Sequence, residues 1–147
     1  MILEGKHTFT ATRTLVWEVL TNPRHLANAI PGCQSFEEIE PGKFDATVEI
    51  GISAVKGTYS GTAEIVDPVP PERCRLIGEG SGKPGFIKGE ALIELFEQGE
   101  STVLSYRGEG QVGGLIAGAG QRMIIGIGKM LVGQFFKQLQ NEIETLQ

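Results

Sequence analysis

The sequence predicts an α+β fold in which an antiparallel sheet is covered on one face by a single long C-terminal helix. Between Cys33 and Val112 the apolar residues recur at every second position, which is the period of strands with one buried face. From Leu115 to about Leu146 they recur every three or four residues, which predicts an amphipathic helix of roughly 30 residues and about 45 Å. Because a sheet with one apolar face must be covered, and no other segment is as long, this helix is expected to cover it. Residues 1–147 are expected to form one domain.

The first part of the chain predicts one strand and two short helices. The strand is expected from Leu3 to Thr10. Thr12 is a suitable N-cap for the first helix, because its hydroxyl can accept a hydrogen bond from the first turn. Pro23 can open the second helix, where a missing N–H costs nothing, and Pro31-Gly32 ends it. The apolar residues expected on these helices are Val16, Trp17, Leu20, Leu26, Ala29 and Ile30.

About six further strands are expected between Cys33 and Val112, which gives seven in all. Turn-forming residues separate them at Pro41-Gly42, residues 67–71, Lys83-Pro84-Gly85 and residues 98–100. The positions assigned to the apolar face are Phe44, Ala46, Val48, Ile50, Ile52, Tyr59, Gly61, Ala63, Ile65, Ile87, Gly89, Ala91, Ile93, Leu95, Thr102, Leu104 and Tyr106.

The charge balance argues against two classes of partner. The chain has 13 Lys and Arg against 18 Asp and Glu, a net charge of −5, whereas nucleic-acid binding and polybasic membrane binding both depend on an excess of cations. The longest apolar stretch, residues 112–132, is interrupted by Gln121-Arg122 and Lys129, so no transmembrane segment is expected. With no signal peptide, and with Cys33 and Cys74 expected as small buried residues, the protein is expected in the cytoplasm.

Glycine is about twice as frequent as in an average protein, at 21 of 147 residues. Residues 80–85 and 108–113 match G-x-G-x-x-G, but no βαβ unit surrounds either stretch, so neither predicts a nucleotide site. On the strands, glycines on the apolar side serve either to bend the sheet or to leave room for a ligand; they are Gly78, Gly80, Gly108 and Gly110. Glycines in the predicted helix cost helix stability, so we expect the sheet to pack close against them, the alternative being a ligand in that space; they are Gly118, Gly120, Gly126, Gly128 and Gly133.

Six short motifs occur along the chain in a characteristic order. They are Ala11-x-Arg13-x-x-Val16-Trp17-x-x-Leu20 followed by Pro23; Ile30-Pro31-Gly32-Cys33; Gly57-x-Tyr59-x-Gly61; Gly85-Phe86-Ile87-Lys88-Gly89-x-Ala91; Gly113-Gly114-Leu115-Ile116-Ala117; and Gly120-Gln121-Arg122. With this order of elements, the chain resembles the START/Bet v 1-like (SRPBCC) helix-grip superfamily. Within it, the chain resembles the CoxG-like family of carbon monoxide dehydrogenase subunits over its whole length.

The resemblance implies a curved seven-stranded antiparallel sheet that grips the C-terminal helix, with an internal apolar cavity between them. It also implies a non-catalytic protein that binds a lipid or quinone and serves as an accessory subunit of a carbon monoxide dehydrogenase-type molybdenum enzyme. Peripheral association with the inner face of the membrane follows from that role. Many members of the family continue into a hydrophobic anchor, and since Gln147 directly follows the predicted helix, no anchoring of that kind is expected here.

The residues expected to line the cavity combine this resemblance with the apolar faces. They are Trp17, Leu20, Leu26, Ile30, Val48, Ile50, Tyr59, Gly61, Leu76, Phe86, Ile93, Leu104, Tyr106, Ile116, Met123 and Ile127.

Three polar residues are candidates for contact with a ligand. Tyr59 and Tyr106 are expected on the inner face, where a phenol needs a partner, which is backbone, water or a ligand carbonyl such as that of a quinone. Arg122 either stays at the surface or pairs with a ligand headgroup or a partner carboxylate. Trp17 either caps the cavity or fills the core.

The sequence predicts no catalytic residue, metal site or cofactor. His7 and His25 lie far apart, with no third ligand at a matching spacing, and no Ser or Cys lies in a nucleophile motif. Glu90 and Glu94 are expected to face solvent. The alternative function is an enzyme of the polyketide cyclase or hydrolase type acting on an apolar substrate, which would need an inward acid, base or nucleophile.

Overall fold

The chain forms one seven-stranded sheet and three α-helices. The computed structural model describes residues 1–147 except for the side chain of Ser53. The elements in chain order are β1 (Ile2–Phe9), α1 (Arg13–Leu20), α2 (Pro23–Ala29), β2 (Cys33–Glu40), β3 (Lys43–Ile50), β4 (Gly57–Val69), β5 (Arg73–Gly82), β6 (Gly85–Gln98), β7 (Ser101–Gly113) and α3 (Gln121–Glu144), with short 3₁₀ turns at Ser53–Val55 and Leu115–Ala119.

The sheet is antiparallel throughout, with the strand order β1-β7-β6-β5-β4-β3-β2. Strands β2 to β7 follow one another as hairpins, and β1 pairs with the last strand, β7. The two short helices therefore connect the two edges of the sheet. The α+β class, the seven strands and the covering C-terminal helix are confirmed.

The caps of the short helices follow the sequence prediction. The Thr12 hydroxyl accepts a hydrogen bond from the Leu15 N–H at 3.4 Å. Pro23 is the first residue of α2, and the Asn22 side chain accepts from the Arg24 N–H at 2.9 Å. Both helices are thus started by side chains that satisfy free N–H groups of the first turn.

The C-terminal helix is shorter than predicted. It begins at Gln121 rather than Leu115, and its 24 residues span about 36 Å. Gly114 and Gly120 adopt φ values of +81° and +92°, outside the helical region, so the segment between them forms a separate 3₁₀ turn. Gly118 and Gly120 therefore belong to this connection and cost the helix nothing.

Most of the core lies at the α1 end of the molecule. The main cluster includes Phe9, Val16 and Leu104, together with Phe136, Leu139 and Ile143 from the second half of α3. A second, smaller cluster of Val55, Tyr59 and Ile116 lies at the other end, with Ile127 of α3 packed against it. In the first half of α3 the residues are only partly buried or exposed. The helix is thus buried at its C-terminal end and less covered at its N-terminal end.

A polar contact fixes the buried half of α3 to α2. The Glu142 carboxylate accepts a hydrogen bond from Asn28 at 2.9 Å and lies 3.0 Å from Nδ1 of the buried His25. The hydrogen bonds from Asn28 and His25 hold the pKa of Glu142 below its ordinary value of 4.5. The charged form of Glu142 is therefore favoured by the folded state.

The Glu142→Gln variant tests this contact through pH. Because the carboxylate has a lowered pKa in the folded protein, its contribution is complete above the ordinary pKa of 4.5 and is lost as pH falls through the lowered pKa. We expect Glu142→Gln to lower the free energy of unfolding by about 1–3 kcal/mol at pH 7 and to flatten its fall on acidification. Urea unfolding from pH 7 to pH 3 measures this, with Glu144→Gln as the control of equal charge. Parallel pH profiles for wild type and Glu142→Gln would contradict it.

Candidate ligand-binding cleft

An apolar cleft of about 350 Å³ lies between the sheet and the N-terminal half of α3. The helix supplies Ile124, Ile127 and Leu131, and the sheet supplies residues of β1, β3, β5, β6 and β7. Since α3 contacts β1 on one side and the Val55–Tyr59 cluster on the other, the sheet curves around the helix. Only the better-packed end of that enclosed space is filled by core side chains.

The floor of the cleft is made of small residues. Gly78, Gly89 and Gly110 pair directly across β5, β6 and β7, and Ala91 and Gly108 form the neighbouring pair. All five line the cleft. A strand position without a side chain leaves free volume on its face of the sheet, so this patch sets the depth of the cleft.

The glycines of the sheet serve two different purposes. A Cβ atom added at Gly78 or Gly108 would have its nearest neighbours at 3.8 and 3.4 Å, which is ordinary contact. A Cβ atom at Gly61 would collide with the Glu79 carbonyl oxygen, and one at Gly89 would lie 2.7 Å from that of Glu109. Gly61 and Gly89 therefore permit close strand approach, whereas Gly78 and Gly108 leave space.

The glycines of α3 correct one expectation. Added Cβ atoms at Gly126 and Gly133 would meet nothing within 4 Å, and one at Gly128 would meet only Leu3 at 3.4 Å. Close packing of the sheet against these positions is therefore wrong for Gly126 and Gly133. At Gly128, which lines the cleft, the absence of a side chain admits Leu3 beside the helix.

The predicted cavity residues divide between the cleft and its surroundings. Ile50, Leu76 and Ile127 line the cleft. Others are core: Trp17, Leu20, Leu26, Ile93, Leu104 and Ile116 are buried, and Val48 packs against the second cluster. Phe86 and Met123 are about half exposed, and Ile30 lines a separate groove between α2 and α3.

The three polar candidates have different surroundings. The buried Tyr59 hydroxyl donates to the Val55 carbonyl oxygen at 2.6 Å, so its proton is already used. Arg122 is exposed at the start of α3. Tyr106 is half-buried, precedes the cleft residue Gly108 on the same face of β7, and makes no side-chain hydrogen bond to another described residue. Of the three, Tyr106 combines partial burial with a free donor.

The hydroxyl of Tyr106 lies over Gly5, 2.8 Å from where a Cβ atom would be. Its ring packs against Phe136 at a centroid distance of 5.5 Å, and the half-buried His7 stacks on the same phenylalanine at 5.2 Å. Burial raises the pKa of Tyr106 and lowers the pKa of His7. At neutral pH this end of the space therefore presents a neutral phenol and a neutral imidazole.

Charged groups occur only at the edge of the cleft. Glu90 and Glu109 reach its lining, but both side chains are more than half exposed, and Glu90 pairs with Arg75 at 2.7 Å. Within the described residues, no three His, Cys, Asp or Glu side chains are grouped so that they could hold a metal ion. No helix among them is long and apolar enough to cross a bilayer.

The sequence prediction misses several cleft residues: Met1, Ile2, Leu3, Val55, Val112, Ile124 and Leu131. The spacing of Ile124, Ile127 and Leu131 is three and four residues, which is itself a helix-face signal. The prediction names Met123 instead, because the predicted apolar stripe begins at Ile116, before the helix starts. The alternation of Leu3 with Gly5, His7 and Phe9 is the corresponding signal for β1.

A curved antiparallel sheet around a C-terminal helix, with an apolar cleft between them, defines a helix-grip protein of the START/Bet v 1 type. A START superfamily protein from Mycobacterium smegmatis has the same fold, with a TM-score of 0.79, 13% identity and 99% of each chain covered. A protein from Chromobacterium violaceum matches with a TM-score of 0.73 and 19% identity over 97% of this chain and 96% of its own.

The chain belongs to the CoxG family of carbon monoxide dehydrogenase subunits, which it matches over residues 5–144. A conserved protein from Geobacillus kaustophilus is 39% identical, with a TM-score of 0.96, and the match covers 99% of this chain and 96% of that one. No curated protein shows significant similarity to the chain.

Two alanine variants separate the two uses of glycine in the sheet. Gly78→Ala adds a methyl group in open space and is expected to keep the free energy of unfolding or raise it by up to about 1 kcal/mol, since glycine within a strand is unfavourable. Gly61→Ala forces the new carbon against backbone and is expected to lower it by about 1–3 kcal/mol. Urea unfolding measures both values, and equal values would contradict the distinction.

Proposed function

We propose that the protein is a non-catalytic carrier of an apolar small molecule, a lipid or a quinone. The observation that carries this proposal is the aliphatic cleft over a floor of Gly78, Gly89 and Gly110. Binding sites for small molecules are concave, mostly apolar and supplied with few polar groups. The cleft fits that description, and a continuous core would need larger residues at these positions.

The size of the cleft favours partial enclosure of a long ligand. A volume of about 350 Å³ lies near the lower end of known ligand pockets. It suits one ring or a short stretch of chain, with any remaining tail leaving by the opening near Phe86 and Ala117, where a second, shallower pocket is continuous with the cleft. Tyr106 would donate a hydrogen bond to a carbonyl oxygen of such a ligand.

The family supports a further step, that the carrier is an accessory subunit of a carbon monoxide dehydrogenase-type molybdenum enzyme. Such a role would keep it in the cytoplasm, in peripheral contact with the inner membrane face where quinones reside. Its test is the rate of CO-dependent quinone reduction by such an enzyme with and without this protein. The enzyme alternative is not proposed, because Glu90 and Glu109, the titratable residues of the cleft lining, are more than half exposed.

The first experiment blocks the cleft. Purified protein is extracted with organic solvent for mass spectrometry, and a short-chain quinone and a fluorescent fatty acid are titrated by calorimetry and fluorescence. We expect at least one class to bind at micromolar concentration and Gly78→Val to weaken it about tenfold or more, since the new side chain fills the floor. The control is Glu79→Val, which places the same side chain one residue further on the opposite face. An empty extract together with no binding of either probe would reject the carrier function.

The second experiment tests the polar anchor. Tyr106→Phe removes one neutral hydrogen bond and is expected to weaken a quinone about three- to tenfold, while leaving a ligand without a carbonyl unchanged. Tyr59→Phe removes the bond to Val55 and is expected to lower the free energy of unfolding by about 1 kcal/mol without changing affinity. If both variants lost quinone affinity equally, Tyr106 would have no special role.

A further inference from the structure

Three segments meet around the opening of the cleft and form a rim, defined here as residues 54–57, 83–88 and 113–123. The Ile116 N–H donates to the Pro84 carbonyl oxygen at 2.9 Å, which joins the 3₁₀ turn to the β5–β6 turn. Gly57 packs directly against the Pro84 ring, which brings the third segment to the same place. Phe86 and Ala117 line the shallow pocket that continues from the cleft.

The rim exposes large apolar side chains. Leu115 is 82% exposed, Met123 is 52% exposed and Phe86 is 47% exposed. Among the large hydrophobic residues described as exposed, Leu115 is the most so, and it lies in a turn flanked by glycines. Such side chains next to an opening need a reason, because each could have been polar without cost to the fold.

The rim is also positively charged, in a protein whose net charge is −5. It contains four of the 13 Lys and Arg residues, namely Lys56, Lys83, Lys88 and Arg122, and none of the 18 Asp and Glu residues. All four are exposed, and no ion pair among the described residues involves any of them. The nearest opposing carboxylate in the sheet register is Glu79, which pairs with Lys88 across β5 and β6.

We propose that the rim docks on the surface of an anionic lipid bilayer. Leu115, Phe86 and Met123 enter the headgroup region, and the four cations lie near lipid phosphates. The cleft then opens toward the lipid phase. The docking stands on exposure and charge alone; only its purpose, exchange of an apolar ligand with the bilayer, rests on the proposed function.

The rim suits a bilayer better than a protein partner. Its apolar side chains protrude singly and are interleaved with cations, whereas a stable protein interface needs about 800 Å² of contiguous matched surface on each side. The acidic remainder of the molecule is repelled by an anionic surface. The charge distribution therefore selects one orientation, with the rim toward the lipid.

Vesicle sedimentation tests the docking. The full chain is mixed with vesicles of phosphatidylcholine, either alone or with about 30 mol% phosphatidylglycerol, at low and high salt. We expect sedimentation with the anionic vesicles, several-fold weaker with the neutral ones, and a decrease at high salt. Equal sedimentation with neutral and anionic vesicles would overturn the role of the cations.

Matched variants locate the contact. Leu115→Asp is expected to weaken vesicle binding about tenfold or more, whereas Leu146→Asp makes the same change at a half-exposed leucine beyond the other end of α3 and should have no effect. Lys83→Glu or Arg122→Glu should each weaken it at least about fivefold, and Lys137→Glu much less. Loss of binding with Leu146→Asp or Lys137→Glu equal to that of the rim variants would overturn the proposal.

A quinone titration without vesicles separates this inference from the proposed function. Leu115 lies outside the cleft lining, so Leu115→Asp should bind a soluble short-chain quinone like wild type. If wild type binds quinone but no vesicle, docking is wrong, and the rim is left for an acidic protein partner. If it binds anionic vesicles but neither quinone nor fatty acid, docking stands and the carrier function falls.

Discussion

A single helix has to cover the apolar face of a seven-stranded sheet, and the rest of the structure depends on how this is done. Helix α3 is buried through Phe136, Leu139 and Ile143 at one end, where Glu142 also joins it to α2. At the other end its apolar residues are only partly covered. The space that the helix does not fill becomes the cleft, so cleft and core are two ends of the same interface.

Glycine shapes this interface in two ways that the sequence does not distinguish. At Gly61 and Gly89 it lets neighbouring strands approach closely, while at Gly78 and Gly108 it withholds side chains from the cleft floor. A sheet that only needed to bend would not require the second kind. The free volume is therefore a property of particular positions within the sheet and does not follow from its curvature.

Element order, strand faces and helix caps could be predicted from the sequence, because each depends on local spacing. Thr12 and Pro23 start helices for reasons contained in their own chemistry. The start of α3 could not be predicted, since the apolar period continues from Leu115 through Gly120 although positive φ values there break the helix. Nor could the cleft be separated from the core: Leu104 and Leu76 share the same pattern, yet one is fully buried and the other lines the cleft. That division is decided by how far the helix stands from each strand, which is a tertiary property.

The unequal support of α3 also has a consequence for motion. Its less covered half contains Gly126 and Gly128, and a third glycine, Gly133, lies just before the buried half. Glycine lowers the stiffness of a helix, and segments with few buried contacts open at low free-energy cost. This half can therefore swing outward like a lever about the buried half without disturbing the main core. The capacity of the cleft is then set by an ensemble of helix positions, and about 350 Å³ is the volume of one member of that ensemble.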